Sequence, residues 1–293
     1  MPLAPRRGSG LAARVDQGVR RLLRQGGQAW GDFERALSWH VGGGRRFFER
    51  HYADVAGAHE WCFIVGCNNS GTTLLRTLLN ELDGVCGFEQ EGRMATLALT
   101  RGGERAIRRV WTERLDKFRM RPGEQPEVAP RLVHDWMHTL GEDVDRMIIE
   151  KTPANAVRMQ WLQEVFPRSY FIGLVRNGYA VSDSIRRRGK KPLARAAAHW
   201  NTVNRVMLED ARGVDKFLAV RYEDIAQRPE TALKDIARFC GRSWSGSLRI
   251  PVQDMDRASL ARLTHEEVET VRRHAAQMLD HFGYADPRAG VEP

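Results

Sequence analysis

The chain has 293 residues, 42% of them hydrophobic and 28% charged, with a formal net charge of +9. That content suffices for one sizeable α/β core, and no apolar run of about 18 residues offers a membrane span. The four cysteines, Cys62, Cys67, Cys86 and Cys240, form no Cys-x-x-Cys pair, so neither a disulfide framework nor a zinc site is suggested and a reducing compartment fits.

The charge is uneven. Residues 1–50 hold ten arginines against four acids, so ten minus four gives +6 of the +9. Leu11, Val15, Val19, Leu22, Leu23, Trp30 and Phe33 fall near one helical face, with Arg14, Arg20, Arg21 and Arg24 largely elsewhere. No continuous apolar stretch follows the arginines, so a signal peptide is not expected. Two readings stay open: a basic amphipathic helix on an anionic membrane surface, and a segment that packs on the rest of the chain or stays disordered. Gly26, Gly27 and Gly42 to Gly44 interrupt a long helix and favour the second. The expected division is a basic helical extension over 1–58 and one α/β domain over 59–293.

Phe63 to Val65 reads as a short apolar strand that breaks at Gly66, turns through Asn68, Asn69, Ser70 and Gly71, and enters an apolar-periodic helix at Thr72. Such a turn brings backbone N–H groups and the positive end of a helix dipole onto one anion. The outline Gly66-x4-Gly71 matches a triphosphate loop, but Thr72-Thr73 stands where that loop needs lysine followed by serine or threonine. A hydroxyl-rich loop without lysine suits a smaller anion than a magnesium triphosphate. A plain strand-to-helix turn would not need so many anion donors.

Gly87-Phe88-Glu89-Gln90-Glu91-Gly92-Arg93 then sets two carboxylates at the expected end of a second strand, where solvated loop glutamates are the competing reading. Arg101 to Arg121 contains eight cations against three acids, and Arg121 to Pro126 is the clearest internal linker. His134 and His138 lie one helical turn apart without an evident third ligand, which favours a structural role over a metal site.

Met147 to Ile149 reads as a buried strand ending at Glu150-Lys151, and Asn155 as the cap of a helix carrying Val157, Trp161, Leu162 and Val165, closed by Pro167. Tyr170 to Val175 is another apolar strand, Asn177-Gly178 a turn, and Tyr179 to Arg187 a helix. Strand, helix, strand in this order predicts a parallel sheet buried on both faces. Lys151 and Arg176 then emerge at carboxyl ends of strands, beside the Gly66 to Thr73 loop, at the edge where open α/β sheets bind ligands. The fold expected is a single P-loop-like α/β domain, a central parallel sheet flanked by helices.

These residues resemble a known family. Asn69-Ser-Gly-Thr-Thr-Leu-Leu75 looks like the 5′-phosphosulfate loop of sulfotransferases that use 3′-phosphoadenosine 5′-phosphosulfate (PAPS). Val175-Arg-Asn-Gly-Tyr-Ala-Val-Ser-Asp-Ser184 looks like their 3′-phosphate motif, and Phe217 to Gly241 is similar to the strand and helix that close the fold. Glu150-Lys-Thr-Pro153, Phe166-Pro167 and His199-Trp-Asn201 look closest to protein-tyrosine sulfotransferases and their bacterial relatives.

The resemblance implies a donor site of Asn68, Asn69, Ser70, Gly71, Thr72 and Thr73 for one anionic end, and Arg176 with Ser184 for the other, Tyr222 joining them. It implies PAPS as co-substrate, adenosine 3′,5′-bisphosphate as product and no metal. Sulfonate transfer needs a base and stabilisation of moving and leaving charge. Glu91-Gly-Arg93 is similar to the Glu-x-Arg step of the tyrosine-sulfotransferase branch if one residue is inserted here, and without the insertion Gln90 falls on the catalytic position. Glu91 is taken as base, with Glu89 as alternate and His199 next; Lys151 is the cation for the sulfonate, and Arg93 supports it. Many members carry lysine or arginine where this chain has Asn69, which throws more of the leaving-group stabilisation onto Lys151, Arg93 and the loop amides. No basic element near the C-terminus matches the one cytosolic members use, and Arg249 is the nearest substitute.

Two other classes compete. A kinase or NTPase would use the Gly66 loop with Glu150 near magnesium, but Thr72 and the Arg176–Ser184 pair suit it poorly. A non-catalytic nucleotide-binding protein would leave Glu91 and Lys151 without a role. The acceptor is expected to bear a hydroxyl, on tyrosine, an anionic glycan or a lipid head group; no specific nucleic acid is expected, since charge alone carries no recognition motif. A cytoplasmic placement is expected, with peripheral membrane contact through the N-terminus under the first reading of that segment.

Overall fold

A computed structural model describes residues 27–41, 44–101, 106–141, 146–244, 246 and 248–288. The apolar runs become β1 (Trp61–Gly66), β3 (Met147–Lys151) and β4 (Ser169–Val175), joined by the short β2 (Val85–Gly87) and by β5 (Phe217–Arg221). All pair in parallel in the order β2-β3-β1-β4-β5, so β1 is central. Every residue of β1 and of β3 is buried, which is why those sequences read as unbroken apolar runs rather than alternating ones.

Helices cover both faces. One core layer packs Trp61, Phe63, Trp136, Phe166 and Phe171 with the long α7 (Leu193–Ala211) and α11 (His265–Phe282). The other sets Ile64, Ile149 and Ile172 against α3 (Thr72–Leu79), α8 (Tyr222–Gln227) and α9 (Pro229–Phe239). The Trp61 ring lies 4.4 Å from that of Phe166 and 5.6 Å from that of Trp136, an aromatic cluster under the middle of the sheet.

The helix assigned to an Asn155 cap forms differently. Pro153–Val157 is a 3-10 turn, and α5 (Met159–Val165) follows a break at Arg158. Asn155 instead donates from Nδ2 to Glu150 Oε2 at 2.7 Å, because the buried carboxylate has the stronger claim on it. Asn177 does cap α6 (Gly178–Gly189), its side chain accepting from the Tyr179 amide.

Of the N-terminal extension, residues 27–40 form a helix, α1, followed by α2 (Gly44–Ala58); Leu11 to Leu23 lie outside the described residues. Inner residues of α1 dock on α4 (Val128–Leu140): Ser38 Oγ lies 2.8 Å from His134 Nε2, and Trp39 packs on the His134 ring. Asp32 takes both arms of Arg101 at 2.6 and 2.7 Å. Trp30, Phe33 and Leu37 of the same helix face solvent. No helix among the described residues is long and apolar enough to cross a membrane.

Candidate active site

The loop after β1 is shaped by contacts only glycine allows. A Cβ on Gly66 would stand 2.5 Å from the Leu174 carbonyl oxygen, and one on Gly71 would stand 2.7 Å from the Tyr222 ring. Gly71 is at φ 95°, directly before α3, and no side chain caps that helix, so its first-turn amides are presented to a ligand. Ser70 Oγ is buried without a protein partner, an orphaned hydroxyl that suits an anion's oxygen. Asn68 Oδ1 accepts from Trp111 Nε1 at 2.7 Å, which fixes the loop from the opposite wall.

Beyond β4, Arg176 is buried and held on three sides. Its Nη1 donates to the Asn69 carbonyl at 3.0 Å, its Nε donates to Asp256 Oδ1 at 2.7 Å, and its guanidinium lies 4.1 Å from the Tyr222 ring centre. Ser184, two turns into α6, accepts from Asn69 Nδ2 at 3.0 Å. The two assigned phosphate receptors therefore meet at Asn69. Asp256 opens the short α10 (Asp256–Leu260); burial pushes its carboxyl up to about 6 against the pull of Arg176, and its Oδ2 has no partner.

The chemical residues converge from β2 and β3. Lys151 Nζ donates to Glu91 Oε1 at 3.2 Å, and Arg93 Nε donates to Glu91 Oε2 at 2.5 Å. Burial raises the Glu91 carboxyl, but Arg93 and Lys151 together outweigh it and hold the group below the usual carboxylate range. Glu150, next to Lys151, is fully buried and turned away from the cavity. It accepts from the Gly92 amide at 2.8 Å, from Thr152 Oγ1 at 2.5 Å and from Asn155, while burial pushes its carboxyl up. A strand-end acid engaged this way does not face a phosphate, which removes the feature that suited a kinase.

One cavity of about 650 Å³ gathers these groups. Asn68, Asn69, Gly71, Thr72, Thr73, Glu91, Arg93, Lys151, Arg176 and Ser184 all line it, so ten of the twelve residues singled out in the sequence share its wall. Ser70 lies behind the loop, and Tyr222 forms the platform under Arg176 and Gly71. Glu89 and Gln90 are exposed and line a second cavity with Gly87 and Met94, which Glu91 also borders. His199 is buried behind Trp111 and does not line this cavity; its Nδ1 is bonded to Thr112, and burial pushes its imidazole down to about 3. Arg249 is exposed; the C-terminal cation on the cavity is Arg262, which reaches Asp183 at 2.9 Å. Arg109, Arg188 and Asp256 were also missed, because nothing local in their sequence ties them to the loop. Among the described residues no cluster of three or more His, Cys, Asp or Glu could hold a metal ion.

The model of the sulfotransferase family matches residues 62–246. The chain is 28% identical over 203 residues to protein-tyrosine sulfotransferase 2 of Gallus gallus, 64% of this chain and 52% of that one. It is 27% identical over 187 residues to the omega-hydroxy-beta-dihydromenaquinone-9 sulfotransferase Stf3 of Mycobacterium tuberculosis, 54% of this chain and 48% of that one. The chain thus spans about half the length of the curated relatives it matches. The crystal structure of sulfotransferase STF1 from Mycobacterium tuberculosis aligns over 83% of this chain and 81% of its own, with a TM-score of 0.54 at 15% identity, a likeness of fold.

Proposed function

The chain belongs to the sulfotransferase family, and from that premise we propose that it moves a sulfonate group from PAPS to a hydroxyl acceptor by in-line transfer, with Glu91 as base. The supporting observation is the single cavity in which a helix-N-terminal loop, an arginine–serine pair and a carboxylate–lysine pair meet at one edge of a parallel sheet. The residues fit the donor: the orphaned Ser70 hydroxyl and the uncapped α3 suit one anionic end, and Arg176 with Ser184 suits the other.

PAPS supplies the sulfonate, whose bond to the phosphate oxygen breaks as the bond to the acceptor oxygen forms. Glu91 takes the acceptor proton, and its low affinity for protons in the free enzyme keeps it ionised at neutral pH. Lys151 leaves Glu91 to neutralise charge on the moving group, which makes Glu91 a stronger base as the site fills. Arg93 keeps the carboxylate aimed through its 2.5 Å bond. Thr72, Thr73 and the first-turn amides of α3 hold the phosphate that departs with the electron pair.

A tyrosine, a glycan or a lipid alcohol each offers the required hydroxyl, and relatives act on protein tyrosine and on a menaquinone hydroxyl by their names. The deciding experiment is transfer from ³⁵S-labelled PAPS to a tyrosine peptide, a phenol, a sugar and a prenyl alcohol. Label in any of them supports the reading. Phosphate transferred from ATP-magnesium, with no sulfonate transfer, overturns it.

A further inference from the structure

Asn69 brings no charge to the phosphosulfate loop, yet its side chain is engaged at both ends. Its Nδ2 donates to Ser184, and its Oδ1 accepts from Nη1 of Arg109, forty positions later. Arg109 is half-buried on the wall of the cavity that Thr73 and Lys151 also line. Among the described residues it makes no ion pair with a carboxylate; burial, then the neighbouring Arg108 and Arg188, push its guanidinium below the ordinary value, and only Glu91 acts the other way. A guanidinium partly out of water beside other cations lacks an anion.

The backbone points the same way. Asn69 at φ 67° and Arg109 at φ 71° are both left-handed, a state asparagine adopts readily and arginine does not. The stem of Arg109 passes over Gly189, where an added Cβ would stand 3.1 Å from its Cδ. A residue held in a strained conformation, threaded past a glycine and delivered to the loop, is placed for a purpose its own neighbourhood does not explain.

We propose that Arg109 is the cation of the phosphosulfate loop, supplied from the segment between β2 and α4, and that it contacts the phosphate oxygen from which the sulfonate departs. This rests on the sulfonate-transfer reading above. As the sulfur–acceptor oxygen bond forms and the sulfur–phosphate oxygen bond breaks, the electron pair stays on the phosphate oxygen and the acceptor proton goes to Glu91. Arg109 keeps its proton and donates a charge-assisted hydrogen bond that strengthens as that charge gathers. Asn69 is the positioning residue that aims it.

The test uses the full chain with labelled PAPS and the four acceptors above, and adenosine 3′,5′-bisphosphate as equilibrium probe. Arg109→Ala should lower kcat roughly 10²–10³-fold and weaken adenosine 3′,5′-bisphosphate as well, since the oxygen that Arg109 contacts carries its full charge in that product, with an unchanged Tm reporting an intact fold. Arg109→Lys should lie between. Adding Asn69→Lys to Arg109→Ala should return at least about tenfold of the lost rate, because the charge re-enters from the loop itself. A loss of product affinity with kcat unchanged would make Arg109 a binding residue only and overturn the assignment, as would a near-wild-type rate or no rescue. An inert wild type with all four acceptors would overturn the transfer reading, and the role of Arg109 with it; an active wild type with an unaffected Arg109→Ala overturns the Arg109 role alone.

Discussion

Glu150 and Gly92 are joined across 58 positions by a 2.8 Å bond from the glycine amide to the buried carboxylate. That bond sets the turn from which Glu91 and Arg93 project. It also explains the glycine, since a Cβ there would stand 2.7 Å from the Glu150 side chain. Glu150 is a buried positioning residue, with three donors converging on two oxygens. Glu150→Gln leaves a single acceptor oxygen, which at the Oε1 position keeps Gly92 and Thr152 but sets the new amide NH₂ against Asn155 Nδ2. The unmet hydrogen bonds should cost about 1–3 kcal/mol, seen as a lowered Tm, and kcat should fall while affinity for adenosine 3′,5′-bisphosphate holds.

The base assignment is separable from its neighbours. Glu91→Gln should lower turnover about 10²–10⁴-fold with nearly unchanged product affinity, whereas Glu89→Gln, exposed and off the wall that Lys151 and Arg176 line, should behave as wild type. The working form of Glu91 is the carboxylate, held below the usual range by Arg93 and Lys151 despite burial. The rate kcat/KM should therefore be flat through neutral pH and fall only on the acid side, below about 4.3, the ordinary value for glutamate. Lys151→Met removes one of the two cations, so the acid limb should move upward in pH. A limb that stays in place would separate Lys151 from Glu91.

The nucleotide's 3′ end should be read by Arg176. Adenosine 3′,5′-bisphosphate should bind at least about tenfold tighter than AMP, a contact of roughly 1.5–3 kcal/mol, and Arg176→Ala should erase most of that preference. Calorimetry on the two ligands decides it. Equal binding of ATP-magnesium would contradict the donor assignment.

Asp256 competes for the same guanidinium. Its carboxyl is pushed up to about 6, so above that pH it is ionised and pairs with Arg176, and below it the pair dissolves. Asp256→Asn should tighten adenosine 3′,5′-bisphosphate binding at pH 7.5 by about threefold to tenfold, within the range of one partly buried ion pair. The ratio of variant to wild-type affinity should close toward unity as pH falls below 6.

Turnover should survive EDTA, because Lys151, Arg176, Arg93 and the loop amides already meet the charge of the donor. Activity lost to chelator and restored by magnesium would contradict this.

The strands with continuous apolar sequence, Phe63 to Val65, Met147 to Ile149 and Tyr170 to Val175, were legible because a sheet buried on both faces leaves no polar side to show. The strand ends followed, and with them Lys151, Arg176 and the Gly66 to Thr73 loop. Asn155 misled because its competing partner, Glu150, lies on a different element and only the fold brings them together. Arg109 was hidden for the same reason, one arginine in a basic run whose left-handed backbone has no sequence mark. Asp256 sits in a five-residue helix too short for any periodicity to reveal.

The place of β1 at the centre of the sheet divides labour between the two halves of the molecule. Strands on one side of it, β4 and β5, deliver Arg176, Ser184 and Tyr222; those on the other, β2 and β3, deliver Glu91 and Lys151. Only the loop of β1 belongs to both. Exchanging the stretch from Phe88 to Leu140 would therefore replace Glu91 and, with it, the bonds that Trp111 and Arg109 make to Asn68 and Asn69 of that loop. Such an exchange would have to carry its own loop cation with it, since in this chain Arg109 travels with the exchanged half.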